Sequence, residues 1–182
     1  LRGLLREAGL AIPAEEAPKR PGPPPGAPPQ PEALAAGNVA PDFAAVDLAG
    51  ATVKLSDFAG KIVVLDFWAT RCGPCIASMP HTQKVAAATK AQGVVIFAAC
   101  TSDTREKFEG WLKANGANYP DLVFANDPRG RDTPPEQYAE RASVKLYRVR
   151  GIPTQFVIGR DGKIAEVLVG FGGGGDKRLE EA

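Results

Sequence analysis

The sequence predicts an α/β domain built around a mixed β-sheet, and three features support this fold class. Residues 62–68 form a run of β-branched, aromatic and other apolar side chains with a single aspartate, and residues 94–98 form a second apolar run. Runs without polar alternation are typical of strands that are covered on both faces. A helical stretch lies between them, and two strands near the end of the chain meet at Asp161 and Gly162, a strong hairpin signal.

Shorter elements are predicted around these strands. Residues 43–46 and 52–55 are expected to form a hairpin ahead of the first buried strand. An amphipathic helix is predicted over residues 104–115, capped by Ser102 or Asp103. The other predicted elements are a helix from about residue 74 to 91 that ends before Gly93, a strand at 122–124, a helix at 138–147, strands at 154–158 and 163–169, and a last helix from about Asp176.

The first 38 residues differ in composition from the rest. Residues 19–29 carry six prolines, and proline lacks the backbone donor that helices and strands require. We therefore expect residues 1–38 to be a flexible, mostly disordered tether and residues 39–182 to form one folded domain. Because the chain starts at Leu1 rather than Met, we expect it to be a trimmed piece of a longer protein.

Composition excludes several classes of function. The 182 residues carry a formal net charge of +1 without a dense basic run, so nucleic acid is not expected as a partner. No apolar run reaches the roughly 20 residues that span a bilayer. The three cysteines are too few for a disulfide-stapled mini-domain.

Two of these cysteines, Cys72 and Cys75, stand in a C-x-x-C motif that directly follows the buried strand and opens a helix. The first turn of a helix has unpaired backbone donors and the positive end of the macrodipole, so a thiolate is stabilised there. We expect Cys72 to be the exposed attacking thiol and Cys75, one turn in, to be the buried resolving thiol. Arg71 adds a positive charge beside the nucleophile, and Pro74 suits an early helical position.

Asp66 is the other informative residue, because a carboxylate within an apolar strand is costly unless it is useful or paired. The alternative is a satisfied polar residue near the end of the strand. Cys100 ends the second buried strand, on the edge that parallel strands share with the motif. The simpler interpretation is that Cys100 is a small buried apolar side chain.

Together these motifs resemble a known family. The active-site region of thioredoxin is similar to the run from Leu65 to Ala69, the motif Cys72-Gly73-Pro74-Cys75 and Pro80, and the family's cis-proline loop is similar to Gly151-Ile152-Pro153-Thr154. Residues 40–43 and 55–61 resemble the extracytoplasmic TlpA/ResA-like redoxins more than cytosolic thioredoxin. The resemblance covers about residues 39–180 and implies a thioredoxin fold with an N-terminal β-hairpin extension.

The resemblance also implies residue roles. Cys72 corresponds to the nucleophile, Cys75 to the resolving cysteine, and Asp66 to the buried carboxylate that helps to deprotonate it. Pro153 corresponds to the cis-proline beside the disulfide, and Ile152 to the residue that offers backbone groups to a substrate strand. Four further residues are expected to border or contact the substrate: Trp68, Arg71, Gly73 and Pro74. No metal ligand is expected, and no cofactor besides the redox-active Cys72–Cys75 disulfide.

Three departures from the family pattern affect the expectation. Arg71 stands where the family usually has tryptophan, which makes the surface around the nucleophile more cationic. Ser78 stands where TlpA/ResA-like proteins often have glutamate, which leaves Asp66 as the proton-handling carboxylate. Residues 129–137 resemble an insertion, either a tolerated surface loop or a partner-recognition element.

The leading hypothesis is a thiol–disulfide oxidoreductase that reduces protein disulfides through a mixed disulfide with Cys72. A peroxiredoxin-like peroxidase is a second hypothesis, although Ala69 occupies the position where those enzymes have threonine. A third is a copper or zinc module, for which only Cys100 and His81 are further candidate ligands. The expected partners are a disulfide-containing protein substrate and an upstream thiol electron donor. We expect a monomer in an extracytoplasmic or periplasmic location, tethered to a membrane or to another domain.

Overall fold

In the computed structural model the described residues are 34–130, 134–173 and 177–182, and they form a seven-stranded mixed sheet with helices on both faces. The sheet order is β2-β1-β5-β4-β3-β6-β7. Strands β3, β4 and β5 are parallel, and the other neighbours are antiparallel. The strands are β1 (Ala44–Val46), β2 (Thr52–Lys54), β3 (Ile62–Trp68), β4 (Val94–Cys100), β5 (Leu122–Asn126), β6 (Thr154–Ile158) and β7 (Ile164–Val169).

The helices confirm the predicted alternation with strands. They are α1 (Gly73–Thr89), α2 (Arg105–Asn115), α3 (Ala142–Lys145) and α4 (Arg178–Glu181), with short 3-10 turns at Leu55–Phe58, Lys90–Gln92, Gly116–Asn118 and Pro135–Glu140. The predicted N-terminal hairpin is present as β1 and β2, and it extends the sheet beyond β5. The α/β class and the thioredoxin fold are therefore confirmed. Asp176, the expected start of the last helix, lies outside the described residues.

Strand β3 is an interior strand of the sheet, between β4 and β6, and all seven of its residues are buried. Its side chains alternate between two cores because successive residues of a strand point to opposite faces. Val64 and Trp68 belong to the core that α1, α2 and α4 cover, whereas Val63, Leu65 and Phe67 belong to the core on the other face. The strand ends immediately ahead of the C-x-x-C motif, so the motif is carried on the most enclosed element of the fold.

Aromatic rings dominate the second core. Phe67 packs edge-on to Tyr147 and Phe156, and Phe43 stacks on Phe97 at 5.6 Å between ring centroids. Aromatic pairs of this kind add about 0.5–1.5 kcal/mol each beyond the burial of their area. The Tyr147 hydroxyl also donates to the Pro41 carbonyl at 2.6 Å. These contacts fasten the chain ahead of β1 and the segment after α3 onto the sheet.

The helix predicted over residues 138–147 is corrected by the structure. A 3-10 turn (Pro135–Glu140) comes first, Arg141 is extended at φ −56° and ψ 140°, and α3 is a single turn. The new start follows from a tertiary contact, because the buried Asp127 carboxylate accepts a hydrogen bond from the Ala142 N–H at 2.7 Å. A carboxylate supplied from elsewhere in the fold caps the helix at that residue.

The predicted cap of α2 is also wrong. Thr104 is the N-cap, and its hydroxyl accepts from the Lys107 N–H at 3.2 Å. Ser102 and Asp103 bond to the segment between β3 and α1 instead. Their hydrogen bonds therefore stabilise the turn between β3 and α1, and neither residue caps α2.

The folded chain begins ahead of the expected boundary at residue 39. The Gly37 N–H donates to the Ile164 carbonyl and the Ile164 N–H donates to the Asn38 carbonyl, each at 2.8 Å. Leu34 packs against the aromatic core. Residues 34–38 are therefore attached to the edge of β7, because its outer backbone groups accept another strand-like segment. The remainder of the predicted tether, residues 1–33, lies outside the described residues.

Two truncations test where the domain begins. Deleting residues 1–33 is expected to leave the free energy of unfolding nearly unchanged, because a proline-rich segment does not supply a packed core. Deleting residues 1–38 should lower it by about 1–3 kcal/mol, because two backbone hydrogen bonds and the Leu34 contact are lost. Urea melts of both variants and the full chain measure the difference. Equal stability of the two truncated chains would contradict the attachment of residues 34–38.

Candidate active site

The site begins at the turn between β3 and α1. Cys72 is the N-cap of α1, with extended backbone at φ −86° and ψ 97°, and its Sγ accepts from the Cys75 N–H at 3.2 Å. Cys72 and Cys75 are joined by a disulfide, with their Cα atoms 5.2 Å apart. The helix N-terminus therefore directs an unpaired backbone donor at the Cys72 sulfur, where it stabilises negative charge.

The two cysteines differ in exposure as the sequence predicts. Cys72 is half-buried, and Gly73 and Pro74 beside it are exposed. Cys75 is only 1 % exposed and belongs to the core under α1. A substrate can therefore approach the sulfur of Cys72 but not that of Cys75.

A second segment reaches this surface from 80 residues further along the chain. The Ile152–Pro153 peptide bond is cis, in agreement with the family resemblance. The Cys72 Sγ lies 3.7 Å from the Ile152 carbonyl oxygen. Pro153 is buried and Ile152 is half-buried, so the backbone of this loop forms one wall of the surface around Cys72.

Asp66 lies inside β3, on the same face as Val64 and Trp68, which is the face that α1 covers. The side chain is 3 % exposed. Its Oδ2 accepts from the Gln155 Nε2 at 3.0 Å, and its Oδ1 has no hydrogen-bond partner among the described residues. Burial raises the pKa of Asp66 to about 6, and the Gln155 hydrogen bond lowers it by a smaller amount. Asp66 is thus a carboxylate that changes its charge near neutral pH.

Gln155 is a site residue that the sequence analysis missed. It is paired directly with Asp66 across β3 and β6. Its signal in the sequence is the one that identified Asp66, a polar side chain in an otherwise apolar strand. The strand pairing brings the two side chains together, and the Gln155 amide donates to one of the two carboxylate oxygens.

A small cavity of about 20 Å³ adjoins Gln155. Its volume is sufficient for about one water molecule. Ser78 also lines it, but the Ser78 hydroxyl donates to the Cys75 carbonyl at 2.7 Å. Because Ser78 has no acidic proton, it does not replace the glutamate of the family pattern. The lining side chains include Ser78, His81, Thr82, Pro153, Gln155 and Arg178.

The loop of residues 101–104, which we call the clamp loop, holds the turn that carries Cys72. The Arg71 guanidinium donates to the Ser102 carbonyl at 3.2 Å and to the Ser102 Oγ at 3.3 Å. The Thr70 N–H donates to Asp103 Oδ2, and Asp103 is 1 % exposed. A side chain at Gly130 would come within 2.2 Å of the Asp103 carbonyl oxygen, so glycine is required there. The hydrogen bonds from Thr70 and Arg71 link the turn that carries Cys72 to the segment after β4.

Two expectations for individual residues have clear outcomes. Trp68 is fully buried and packs on Trp111 and Phe124, so its side chain does not line the surface around Cys72; the structure corrects that expectation. The Cys100 thiol is fully buried, 3.4 Å from Asp103 Oδ2. Burial, followed by the nearby Asp103, raises its pKa, which makes it a poor nucleophile.

Two further features are absent from the residues that the structure describes. Among residues 34–130, 134–173 and 177–182, no three histidine, cysteine or acidic side chains are placed to hold a metal ion together. Within the same residues, no helix has the length and apolar character needed to cross a bilayer.

A half-buried helix-capping cysteine, a fully buried partner one turn on and a facing cis-proline loop define a thiol–disulfide oxidoreductase of the thioredoxin fold. The chain belongs to the AhpC/TSA family, whose sequence profile matches residues 36–167. It is 31% identical over 138 residues to the thiol-disulfide oxidoreductase ResA of Geobacillus kaustophilus, covering 76% of this chain and 71% of ResA. With ResA of Bacillus subtilis it shares 32% identity over 139 residues, covering 76% and 70%.

Solved structures agree with these relatives. A Chlorobium tepidum chain described as a thiol:disulfide interchange protein DsbE superposes with a TM-score of 0.67 at 36% identity, covering 81% of this chain and 94% of that one. The exposed lipoprotein thioredoxin Etrx1 of Streptococcus pneumoniae has a TM-score of 0.57 at 31% identity, covering 72% and 90%. The predicted TlpA/ResA-like redoxin is confirmed, and the oxidoreductase interpretation is supported over the peroxidase.

Differences in burial predict the order in which the thiols of the reduced protein react. Cys72 should be alkylated first, Cys75 more slowly, and Cys100 only after unfolding, because a buried thiol is neither accessible nor ionised. Timed labelling with a slow thiol reagent, mapped by mass spectrometry with and without denaturant, gives the three rates. Faster labelling of Cys75 than of Cys72 would reverse their assigned roles.

Asp66 should make the stability of the oxidised protein depend on pH in a defined direction. A pKa raised from 3.8 to about 6 means that the folded state disfavours the charged carboxylate. The destabilisation caused by the ionised Asp66 carboxylate is absent below about pH 4, grows as the pH rises to about 6, and is constant above that. The full effect is a loss of about 3 kcal/mol.

The volume-matched Asp66→Asn variant isolates this effect, because the amide does not ionise. Its free energy of unfolding should equal that of the parent near pH 4 and exceed it at pH 8. Denaturant melts of both proteins at intervals between pH 4 and 8 provide the comparison. A variant that is less stable than the parent at pH 8 would show that the charge of Asp66 is paired and favourable.

Proposed function

We propose that the protein reduces disulfides in other proteins, with Cys72 as the nucleophile and Cys75 as the resolving thiol. The observation that carries the proposal is the contrast between the two sulfurs. Cys72 lies at the surface, at the N-terminus of α1 and 3.7 Å from the Ile152 carbonyl, whereas Cys75 is enclosed behind it. A substrate can reach the Cys72 sulfur, whereas the Cys75 sulfur can reach only Cys72.

In the first step the Cys72 thiolate attacks one sulfur of the substrate disulfide. A new bond forms between Cys72 and that sulfur, the substrate disulfide breaks, and its other sulfur leaves as a thiolate that takes a proton from solvent. The N-terminus of α1 stabilises the attacking thiolate. Gly73, Pro74 and the backbone of Ile152 are positioned to contact the substrate chain on either side of the attacked sulfur.

In the second step the Cys75 thiol loses its proton and attacks Cys72. The mixed disulfide breaks, the substrate leaves with its second thiol, and the Cys72–Cys75 disulfide forms. Asp66 accepts the proton of Cys75 through a water molecule: its position in β3 puts it on the face that α1 covers, and its pKa of about 6 lies near the pH at which a base is most effective. Gln155 positions the carboxylate by its hydrogen bond to Oδ2.

The cycle requires no cofactor besides the cysteine pair. A thiol donor of the same organism returns two electrons to the Cys72–Cys75 disulfide, and the protein acts as a monomer. The similarity to an exposed lipoprotein thioredoxin supports an extracytoplasmic location, in which the segment ahead of residue 34 tethers the domain to a membrane or to another domain.

Trapping the intermediate tests the proposal. With the reduced Cys75→Ser variant, a disulfide-containing protein such as insulin should form a mixed disulfide that gel electrophoresis detects and that dithiothreitol releases. The matched Cys72→Ser variant should form none, because Cys75 is buried. The parent should accelerate the reduction of insulin by dithiothreitol and show little thiol-dependent consumption of peroxide. Trapping by Cys72→Ser instead, or a peroxidase rate that exceeds the reductase rate, would overturn the proposal.

A further inference from the structure

Three segments meet at the turn that carries Cys72, and the exposed charged residues of these segments have one sign. They are the turn and first helical residues at 70–76, the clamp loop, and the cis-proline loop at 148–154. The exposed charged residues in these segments are Arg71, Arg148 and Arg150. The single acidic residue is Asp103, which is buried and accepts from the Thr70 N–H. The chain as a whole has a net charge of only +1, so the positive surface is a local feature.

Arg71 is held in place by the clamp loop. Two of its nitrogens donate to the carbonyl and hydroxyl oxygens of Ser102. A guanidinium has five N–H donors, so others remain for a ligand. Within the part of the chain that the structure describes, no carboxylate pairs with Arg71. Because Ser102 is buried and belongs to the clamp loop, the guanidinium of the residue next to Cys72 is held against that loop, and a ligand that binds it costs little further side-chain entropy.

We propose that this surface selects disulfides in extended protein segments that carry an aspartate or glutamate within about two residues of the attacked cysteine. An extended chain advances about 3.3 Å per residue, so a carboxylate one or two positions away lies within reach of an arginine adjacent to Cys72. Carboxylates are the groups that a guanidinium binds most specifically, through paired N–H donors. The inference rests on the proposed function and specifies its substrate class.

Arg71 is the residue that we expect to determine specificity. Exposed charges of this kind mainly accelerate encounter and orient the partner, and salt screens them. The preference should therefore appear in the second-order rate constant and decrease as the ionic strength rises.

The experiment compares three synthetic peptides that share one intramolecular disulfide and differ only in the two residues flanking the attacked cysteine: glutamates, serines or lysines. Single-turnover reduction by the fully reduced parent is measured with each peptide at low salt. We expect the acidic peptide to react about three to five times faster than the neutral one, and the basic peptide more slowly than either. At about 0.5 M NaCl the three rates should converge.

Three variants test whether the charge of Arg71 causes the preference for the acidic peptide. Arg71→Gln should bring the ratio of acidic to neutral rates close to one, and Arg71→Lys should retain a preference because the charge remains. Lys61→Gln is the matched control: it removes the same charge from an exposed position directly ahead of β3, at the opposite end of that strand, and should leave the ratio unchanged. Since the neutral peptide is the reference for each variant, a general change in the reactivity of Cys72 cancels in the ratio.

The possible failures are distinguishable. Equal rates for all three peptides at low salt, or the same preference in Arg71→Gln, would overturn the substrate class while leaving the reductase function in place. Failure of the parent to reduce any of the peptides, together with failure of Cys75→Ser to trap insulin, would overturn both.

Discussion

The enclosure of β3 is the constraint on which the rest of the site depends. The strand lies between β4 and β6 and is buried on both faces, so its carboxyl end has one position relative to the sheet. The chain leaves that end and begins α1 at Cys72, which places the sulfur at the helix N-terminus. The same burial deprives Asp66 of water and raises its pKa, so one packing arrangement produces both the half-buried cysteine at the start of α1 and the buried carboxylate.

The segments next to β4 and β6, the two neighbours of β3, contact the segment that follows β3. The clamp loop follows β4 and binds the turn after β3 through Arg71 and the Thr70 N–H, while β6 begins directly after the cis-proline loop that faces Cys72. The polar groups that make these contacts all lie in segments directly before or after a strand. Three segments therefore meet at one edge of the sheet: those that follow the carboxyl ends of the parallel strands β3 and β4, and the loop that precedes the amino end of the antiparallel strand β6.

Much of the site can be recognised from local signals. Asp66 is conspicuous because it interrupts an apolar run, and the cysteines because they follow that run at the start of a helix. Gln155 carries a comparable signal but was missed, since a neutral amide in a strand is less costly than a charge and is informative only when its partner is known. Serine and aspartate are favourable helix-capping residues, so the sequence predicts that Ser102 or Asp103 caps α2. Their hydrogen bonds are made instead with a turn about 30 residues earlier in the chain.

The sequence by itself determined the buried strands, the helix start at the cysteines and the closing hairpin, because apolar runs, prolines and glycines act on the residues next to them in the chain. Tertiary structure alone decided that Asp127 starts α3 at Ala142, that Thr104 caps α2, that Trp68 is buried, and that Ile152 lies against Cys72. The physical reason is the same in each case: the decisive hydrogen bond or packing partner is supplied by an element that is distant in the chain and becomes adjacent only when the sheet has formed.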